Sequence, residues 1–206
     1  ELLEAALAAE GLGATRWRTV PTRLEALGSE ARASAPGVVQ ALVARPTGLS
    51  ADAFELALIC ARRRAERAAR DGGLDGFSIS SASSRSVVYK GLVSGGRLPA
   101  LFPDLRAELS LPFAVFHQRY ATNTHPVWAL AQPFARIAHN GEIDTVRGGR
   151  EAVRGRASDR GVPGHRSTAA RRLLAAGPLL SPGGSDSRSL DEALELLVAT
   201  GWSLEA

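Results

Sequence analysis

Apolar positions along the chain switch between helical and strand spacing with no fixed repeat. Leu2, Leu3, Ala6 and Leu7 recur at helical spacing until Gly11 and Gly13 stop the run, which predicts a helix over 1–12. A short strand is expected over 17–20, loop and turn over 22–37, and a buried strand over 38–43. Ser50 stands where an N-cap belongs, ahead of a long helix through Phe54, Leu58 and Ala61 that Asp71-Gly72-Gly73 closes. Two further strands, 76–80 and 86–89, flank a serine-rich turn, and later strands are expected over 113–118 and 135–139. The Arg- and Gly-rich stretch 147–166 reads as loop or poorly packed helix, and Ser167 as the cap of a short helix ending at Gly177. Leu190, Ala193, Leu194, Leu197 and Val198 form a helical stripe up to Gly201. Strands and helices follow one another without βαβ regularity, so an α+β layered fold is expected.

The 206 residues suit one domain or a large piece of one, and 45% hydrophobic content is enough to bury a core. No run of 18 apolar residues exists, so no helical membrane span is expected. A single cysteine, Cys60, excludes an intramolecular disulfide framework and any multi-cysteine metal site. The chain starts at Glu1 and has no methionine, and it is read as a fragment or a processed product. Of 25 basic residues only Lys90 is lysine, and the net charge is +4. The arginines are spread among acidic residues, and the densest cluster, Arg62-Arg63-Arg64 with Arg67 and Arg70, has no aromatic neighbour. It reads as a solvated helix face, and nucleic acid is not the expected partner.

Polar chemistry gathers in one window. Both asparagines (Asn123, Asn140), three of four histidines (His117, His125, His139) and two of three glutamines (Gln118, Gln132) lie between 117 and 140. His139-Asn140-Gly141 after an apolar run is a strong hairpin signal, a type I′ turn that needs no function. The same pair could also aim the Asn140 amide and the Gly141 N–H at one oxygen, as an oxyanion hole requires. Arg119, beside Tyr120, Thr122 and Asn123, reads either as a solvated strand end or as a guanidinium set to grip a small carboxylate. Ser185-Asp186 before an amphipathic helix is an ordinary cap signal, or Asp186 is a carboxylate for a substrate ammonium. Each signal is weak alone.

In sequence order they are specific. The string FHQRYATNTHPVWALAQPF (116–134), followed by ARIAHNGEIDTVRGGR (135–150) and PGGSDSRSLDEALELL (182–197), resembles the glutaminase domain of the glutamate synthase large subunit, a class II glutamine amidotransferase. Trp17-Arg18-Thr19-Val20-Pro21, Leu27-Gly28, Ser83-Ser84-Arg85 and Val88-Tyr89-Lys90-Gly91 are similar to further pieces of that domain. The resemblance implies a four-layer αββα sandwich of the N-terminal-nucleophile hydrolase type, here partial, with residues 1–206 forming an incomplete amidotransferase domain. It implies that Arg119 binds the α-carboxylate of L-glutamine, Asp186 its α-amino group, and Asn140 and Gly141 its oxyanion. Thr122 and Asn123 would shape the pocket, with His117, Tyr120 and His139 as supports.

The nucleophile of that family is an N-terminal cysteine whose own α-amino group, with a pKa of about 8, is the base. Cys60 lies mid-helix in an apolar setting and reads as core, so the nucleophile is expected upstream of Glu1 and the chain by itself should be inactive. Asp144 and Gly149 depart from the family's usual asparagines. For the parent, the resemblance implies FMN, an iron–sulfur cluster, downstream synthase domains, a reductase subunit and a cytoplasmic setting. No cofactor or metal is expected within this chain. Two rivals stand beside it: a cysteine-less amidotransferase-like module that binds glutamine or a protein partner, and an arginine-driven nucleic-acid binder.

Overall fold

The structure, a computed structural model, describes residues 1–119, 125–141, 143–158 and 168–203. Its helices are α1 (Leu2–Ala8), α2 (Ser29–Ala33), α3 (Ala51–Asp71), α4 (Leu98–Leu101), α5 (Val146–Ser158), α6 (Thr168–Ala176) and α7 (Asp186–Ala199). Strands β1 (Ala14–Thr19) and β2 (Val39–Val43) pair antiparallel, with Trp17 opposite Ala41 and Thr19 opposite Val39. This is the one sheet among the described residues.

The long helix α3 organises the packing. Ser50 caps it as the sequence predicts, its Oγ accepting from the Ala53 N–H at 3.2 Å. Phe54, Ala57, Leu58, Ala61 and Ala65 pack with Ala6 and Leu7 of α1 and with Leu12. Ile59 and Cys60, on another side of α3, meet Leu173 and Ala176 of α6, Leu179, Leu180, and Leu196 of α7. A third cluster, Val20, Ala26, Leu27, Leu101 and Phe102, closes the sheet end of the molecule.

Within the arginine cluster on α3, Arg62 and Arg63 are internal and Arg64 is half-buried, which corrects the reading of a solvated face there. Arg67 and Arg70 are exposed, as that reading has them. Arg62 and Arg63 are buried; Arg62 pairs with the buried Glu195 of α7, and Arg63 donates to the Pro178 carbonyl. Burial alone would lower the Arg62 pKa, but the facing carboxylates of Glu195, Glu66 and Glu192 outweigh it and hold the group charged. Glu10 likewise bridges Arg64 of α3 (2.7 Å) and Arg172 of α6 (2.5 Å). Helical periodicity reports a stripe of apolar residues, but it cannot say that a partner carboxylate arrives from more than a hundred residues away.

The expected strands 76–80, 86–89 and 113–118 have no ladder partner among the described residues, and Gly76 sits in a turn at φ +79°. In the first two, side chains take backbone donors instead: Ile79 N–H goes to Glu66 (3.1 Å) and Val88 N–H to Ser81 (3.2 Å), and in the turn between them Ser84 N–H goes to Glu55 (2.6 Å). The expected strand 135–139 begins in a bend, because Phe134 N–H bonds the Ile137 carbonyl (2.9 Å) and Asp191 accepts from Arg136 N–H (2.7 Å) and Ile137 N–H (3.0 Å). Within 147–166, the described part is the helix α5, and Ser167 lies outside the described residues. No described helix is long and apolar enough to cross a membrane.

Candidate active site

The short turn at Asn140-Gly141 meets the N-terminus of α7, and side chains from both join them. Ser185 is the N-cap of α7: its Oγ accepts from Arg188 N–H at 3.1 Å. The capping role therefore falls to Ser185, and Asp186 stands in the first helical turn with its carboxylate directed elsewhere. Asp186 Oδ2 accepts from the Ile143 N–H (3.2 Å), and Oδ1 accepts from the Ser187 N–H (2.6 Å) and hydroxyl (3.2 Å). A carboxylate in this place is also favoured by the helix dipole. Oδ1 is filled by those two donors, whereas Oδ2 keeps lone-pair capacity for a further one, as a substrate ammonium would be.

On the other side of the turn, Gln132 grips the backbone of His139. Its Oε1 accepts from the His139 N–H at 2.6 Å, and its Nε2 donates to the His139 carbonyl at 2.9 Å. The His139 ring Nδ1 lies 3.2 Å from the Ser187 hydroxyl. Ser187 thus touches both His139 and Asp186, and it is buried. A serine nucleophile would need the histidine between itself and the carboxylate, so this trio is a brace and not a catalytic triad.

Asn140 and Gly141 themselves are exposed. Gly141 lacks the positive φ that a type I′ turn demands at its second central residue, so the hairpin explanation of Asn-Gly does not hold. A Cβ at 141 would come within 3.2 Å of the His139 ring, and close approach to that ring is what favours glycine. Arg150 of α5 fastens the opposite wall, donating to the carbonyls of Gly184 and Ser185 and, at 2.9 Å, to Ser189 Oγ.

Lys90 reaches the same neighbourhood from the 86–91 stretch. Its Nζ donates to the Ala129 carbonyl (3.0 Å) and lies 5.3 Å from the centre of the Phe134 ring, which Arg188 also faces at 5.9 Å. Burial, with Arg188 nearby, pulls the ammonium down to about 8. On the other side of the strand-like stretch, Tyr89 donates to Asp104 (2.7 Å), which also receives Arg18 of β1. A Cβ at Gly91 would strike Leu101 at 2.8 Å and Trp128 at 3.2 Å. Each residue of Tyr89-Lys90-Gly91 thus has a separate structural demand on it.

Of the residues singled out in the sequence, Asn140, Gly141, Asp186 and His139 are brought into one place. Arg119 is exposed at the end of a stretch without backbone pairing, and it contacts none of them among the described residues. Thr122 and Asn123, with Tyr120, lie outside the described residues. His117 is half-buried, away from any described contact to the turn. Cys60 is fully buried, and burial pushes its thiol up to about 11, so it is core as the sequence suggests and unfit as a nucleophile. Sequence reasoning gave no role to Gln132, Ser187, Arg150 or Asp191, although Gln132 already stood in the polar window. No group of residues able to hold a metal ion occurs among the described residues.

Comparison with known proteins shows the family. The sequence profile of "Glutamine amidotransferases class-II" matches residues 1–206. The "Glutamate synthase [NADPH] large chain" of Azospirillum brasilense is 38% identical over 201 residues, 97% of this chain and 13% of its own length. "Ferredoxin-dependent glutamate synthase 2" of Synechocystis sp. is 38% identical over 96% of this chain and 12% of its own length. The Bacillus subtilis "Glutamate synthase [NADPH] large chain" is 36% identical over 97% of this chain. The chain thus spans only 12–13% of the length of these relatives. With the profile matched from end to end over the residues that build the turn and the α7 terminus, the chain belongs to the class II glutamine amidotransferases.

Proposed function

We propose that this chain is the glutaminase part of a glutamate synthase, hydrolysing L-glutamine to glutamate and releasing ammonia that downstream synthase domains use to make glutamate from 2-oxoglutarate. The observation that carries the reading is the Asp186–Ile143 bond, which ties a carboxylate suited to an ammonium to the Asn140-Gly141 turn. In this reading Asp186 receives the α-ammonium and Arg119 the α-carboxylate, with Thr122 and Asn123 shaping the pocket. A zwitterionic head needs one anion and one cation, and the amide end needs oxyanion donors.

A cysteine upstream of Glu1 supplies the thiolate, and its free α-amine accepts the thiol proton. Sulfur attacks the side-chain amide carbon, the carbonyl electrons move onto oxygen, and the Asn140 amide and Gly141 N–H stabilise that oxyanion. Collapse of the intermediate expels ammonia, which leaves with the proton the α-amine had taken. Water then cleaves the thioester to release glutamate. The domain takes the αββα sandwich of N-terminal-nucleophile hydrolases, completed by chain outside 1–206. The iron–sulfur cluster of such a parent does not fit here, since one buried thiol cannot ligate a cluster, and the reading places it, with FMN and any reductase contact, elsewhere in a cytoplasmic parent.

A glutamine-analogue affinity label, applied to the complete parent protein and mapped by peptide mass spectrometry, tests this. The expected result is an adduct on an N-terminal cysteine. No label, with glutamine still bound, would replace the enzyme by a glutamine-binding module. On a labelled parent, Asp186→Asn should raise KM for glutamine at least tenfold, whereas Asn140→Ala should lower kcat by about 10²–10³.

A further inference from the structure

The two hydrogen bonds from one Gln132 side chain to the N–H and carbonyl of His139 are an unusual use of a polar residue in a loop. Residues 134–137 fold back through the Phe134–Ile137 bond, so the two arms of a tight loop run side by side. Gln132 stands on the first arm and His139 on the second, and the amide closes them as a backbone pair would. The first arm is anchored by Lys90 at Ala129 and by Lys90 and Arg188 on the Phe134 ring. The bend is anchored by Asp191. The turn that follows, Asn140-Gly141, is therefore exposed to solvent yet held from a fixed frame on its leading side, with Asp186 holding its trailing side at Ile143.

We propose that Gln132 is a positioning residue for the oxyanion donors: its side-chain amide fixes the His139 peptide so that the Asn140 amide and the Gly141 N–H point at the same oxygen. The inference rests on the amidotransferase reading for its catalytic consequence, and on the bonds alone for the mechanical one. Oxyanion donors act only where they are already in place as charge develops, and a displacement of about 1 Å can cost about 10²-fold in rate. The amide is needed as both donor and acceptor. An ionised carboxylate of the same shape would accept from the His139 N–H and face the His139 carbonyl with a lone pair. A protonated one would restore both bonds.

The test uses the complete parent polypeptide and compares Gln132→Ala and Gln132→Glu with the unaltered protein. Hydrogen exchange of the peptide containing His139 and Asn140 reads the brace, and steady-state glutaminase kinetics read its consequence. Gln132→Ala should speed exchange there about tenfold or more and lower kcat about 10- to 100-fold, with KM for glutamine within twofold. Gln132→Glu should match it near neutral pH and, relative to the unaltered protein at the same pH, recover as pH falls and its carboxyl protonates. That recovery follows the ratio of one folded variant to the unaltered protein across pH, and general unfolding would not raise it as pH falls. The charged and titratable groups facing the loop, Lys90 from the 86–91 stretch, Arg188, Asp191 and Asp186 from α7, and His139 itself, are common to both proteins and cancel in the ratio. Unchanged exchange in Gln132→Ala, or a Gln132→Glu that shows no recovery, overturns the proposal. A loss of kcat on Asn140→Ala with none on Gln132→Ala overturns it as well and leaves the oxyanion reading standing. Full kcat in Asn140→Ala removes the oxyanion reading and the catalytic half of this inference with it, while the exchange result still decides the brace.

Discussion

Lys90 shows how much one side chain can be asked to do. It is the single lysine of the chain, it donates to Ala129, and it faces Phe134 from within a crowd of charges: Arg188 and Asp191 of α7, Arg62 and Glu66 of α3. Its folded pKa, about 8, lies below the ordinary 10.5, so between those values the folded chain holds fewer protons than the unfolded one. Stability contributed by this group is then complete above pH about 10.5, and is lost as pH falls through about 8. Lys90→Met should flatten the rise in melting temperature of the domain across that window, measured in the complete parent protein. An unaltered slope would mean that the ammonium is solvated. Tyr89-Lys90-Gly91 was legible in the sequence only as a piece of a resemblance. Why glycine follows lysine became clear from Leu101, which leaves 2.8 Å for a Cβ there.

At the scale of elements, α3 and α7 are joined by ions as well as by apolar contact. Glu195 lies buried against Arg62 and 3.8 Å from Arg63, and the Nε atoms of both arginines have no hydrogen-bond partner among the described residues. Removing the carboxylate strands buried positive charge, which in general costs about 3–5 kcal/mol, whereas replacing a whole pair by apolar residues is close to neutral. Glu195→Leu should therefore destabilise the domain by about that amount. Arg62→Met combined with Glu195→Leu should recover much of the loss, a coupling that thermal or denaturant melts of the four proteins in the cycle would measure. Strict additivity would show that the two side chains are not paired. The helices themselves were readable because Ser50 and Ser185 cap them and apolar residues recur at helical spacing. The bend at 135–136 was not, since alternation of apolar residues there suggested a strand and the Asp191 carboxylate that turns the chain comes from α7.

At the scale of the whole molecule, the stretch before Arg119 sets an expectation for the isolated chain. Leu109, Leu111, Phe113 and Val115 alternate along the chain and all are exposed, Phe113 at 78%, with Phe116 at 79% beside them. Such a row without a strand partner among the described residues is a template for association. Residues 1–206 expressed alone should bind a hydrophobic dye and scatter light at micromolar concentration, and Phe113→Glu should reduce both. A sharp thermal transition with no dye binding would show that this face is covered. Within the amino-acid sequence, local rules were enough for α1, α3, α6 and α7, for the caps at Ser50 and Ser185, and for the core character of Cys60, but not for α2, which lies in a stretch that reads as loop. These depend on spacing and on neighbours a few residues away. Tertiary structure alone decided that Asp186 meets Ile143, that Gln132 holds His139, and that Arg62 and Arg63 of α3 point inward to Glu195. Each is a pairing of polar groups that leaves no periodic trace in either partner, because a single hydrogen bond constrains one atom's position and not the pattern of residues around it.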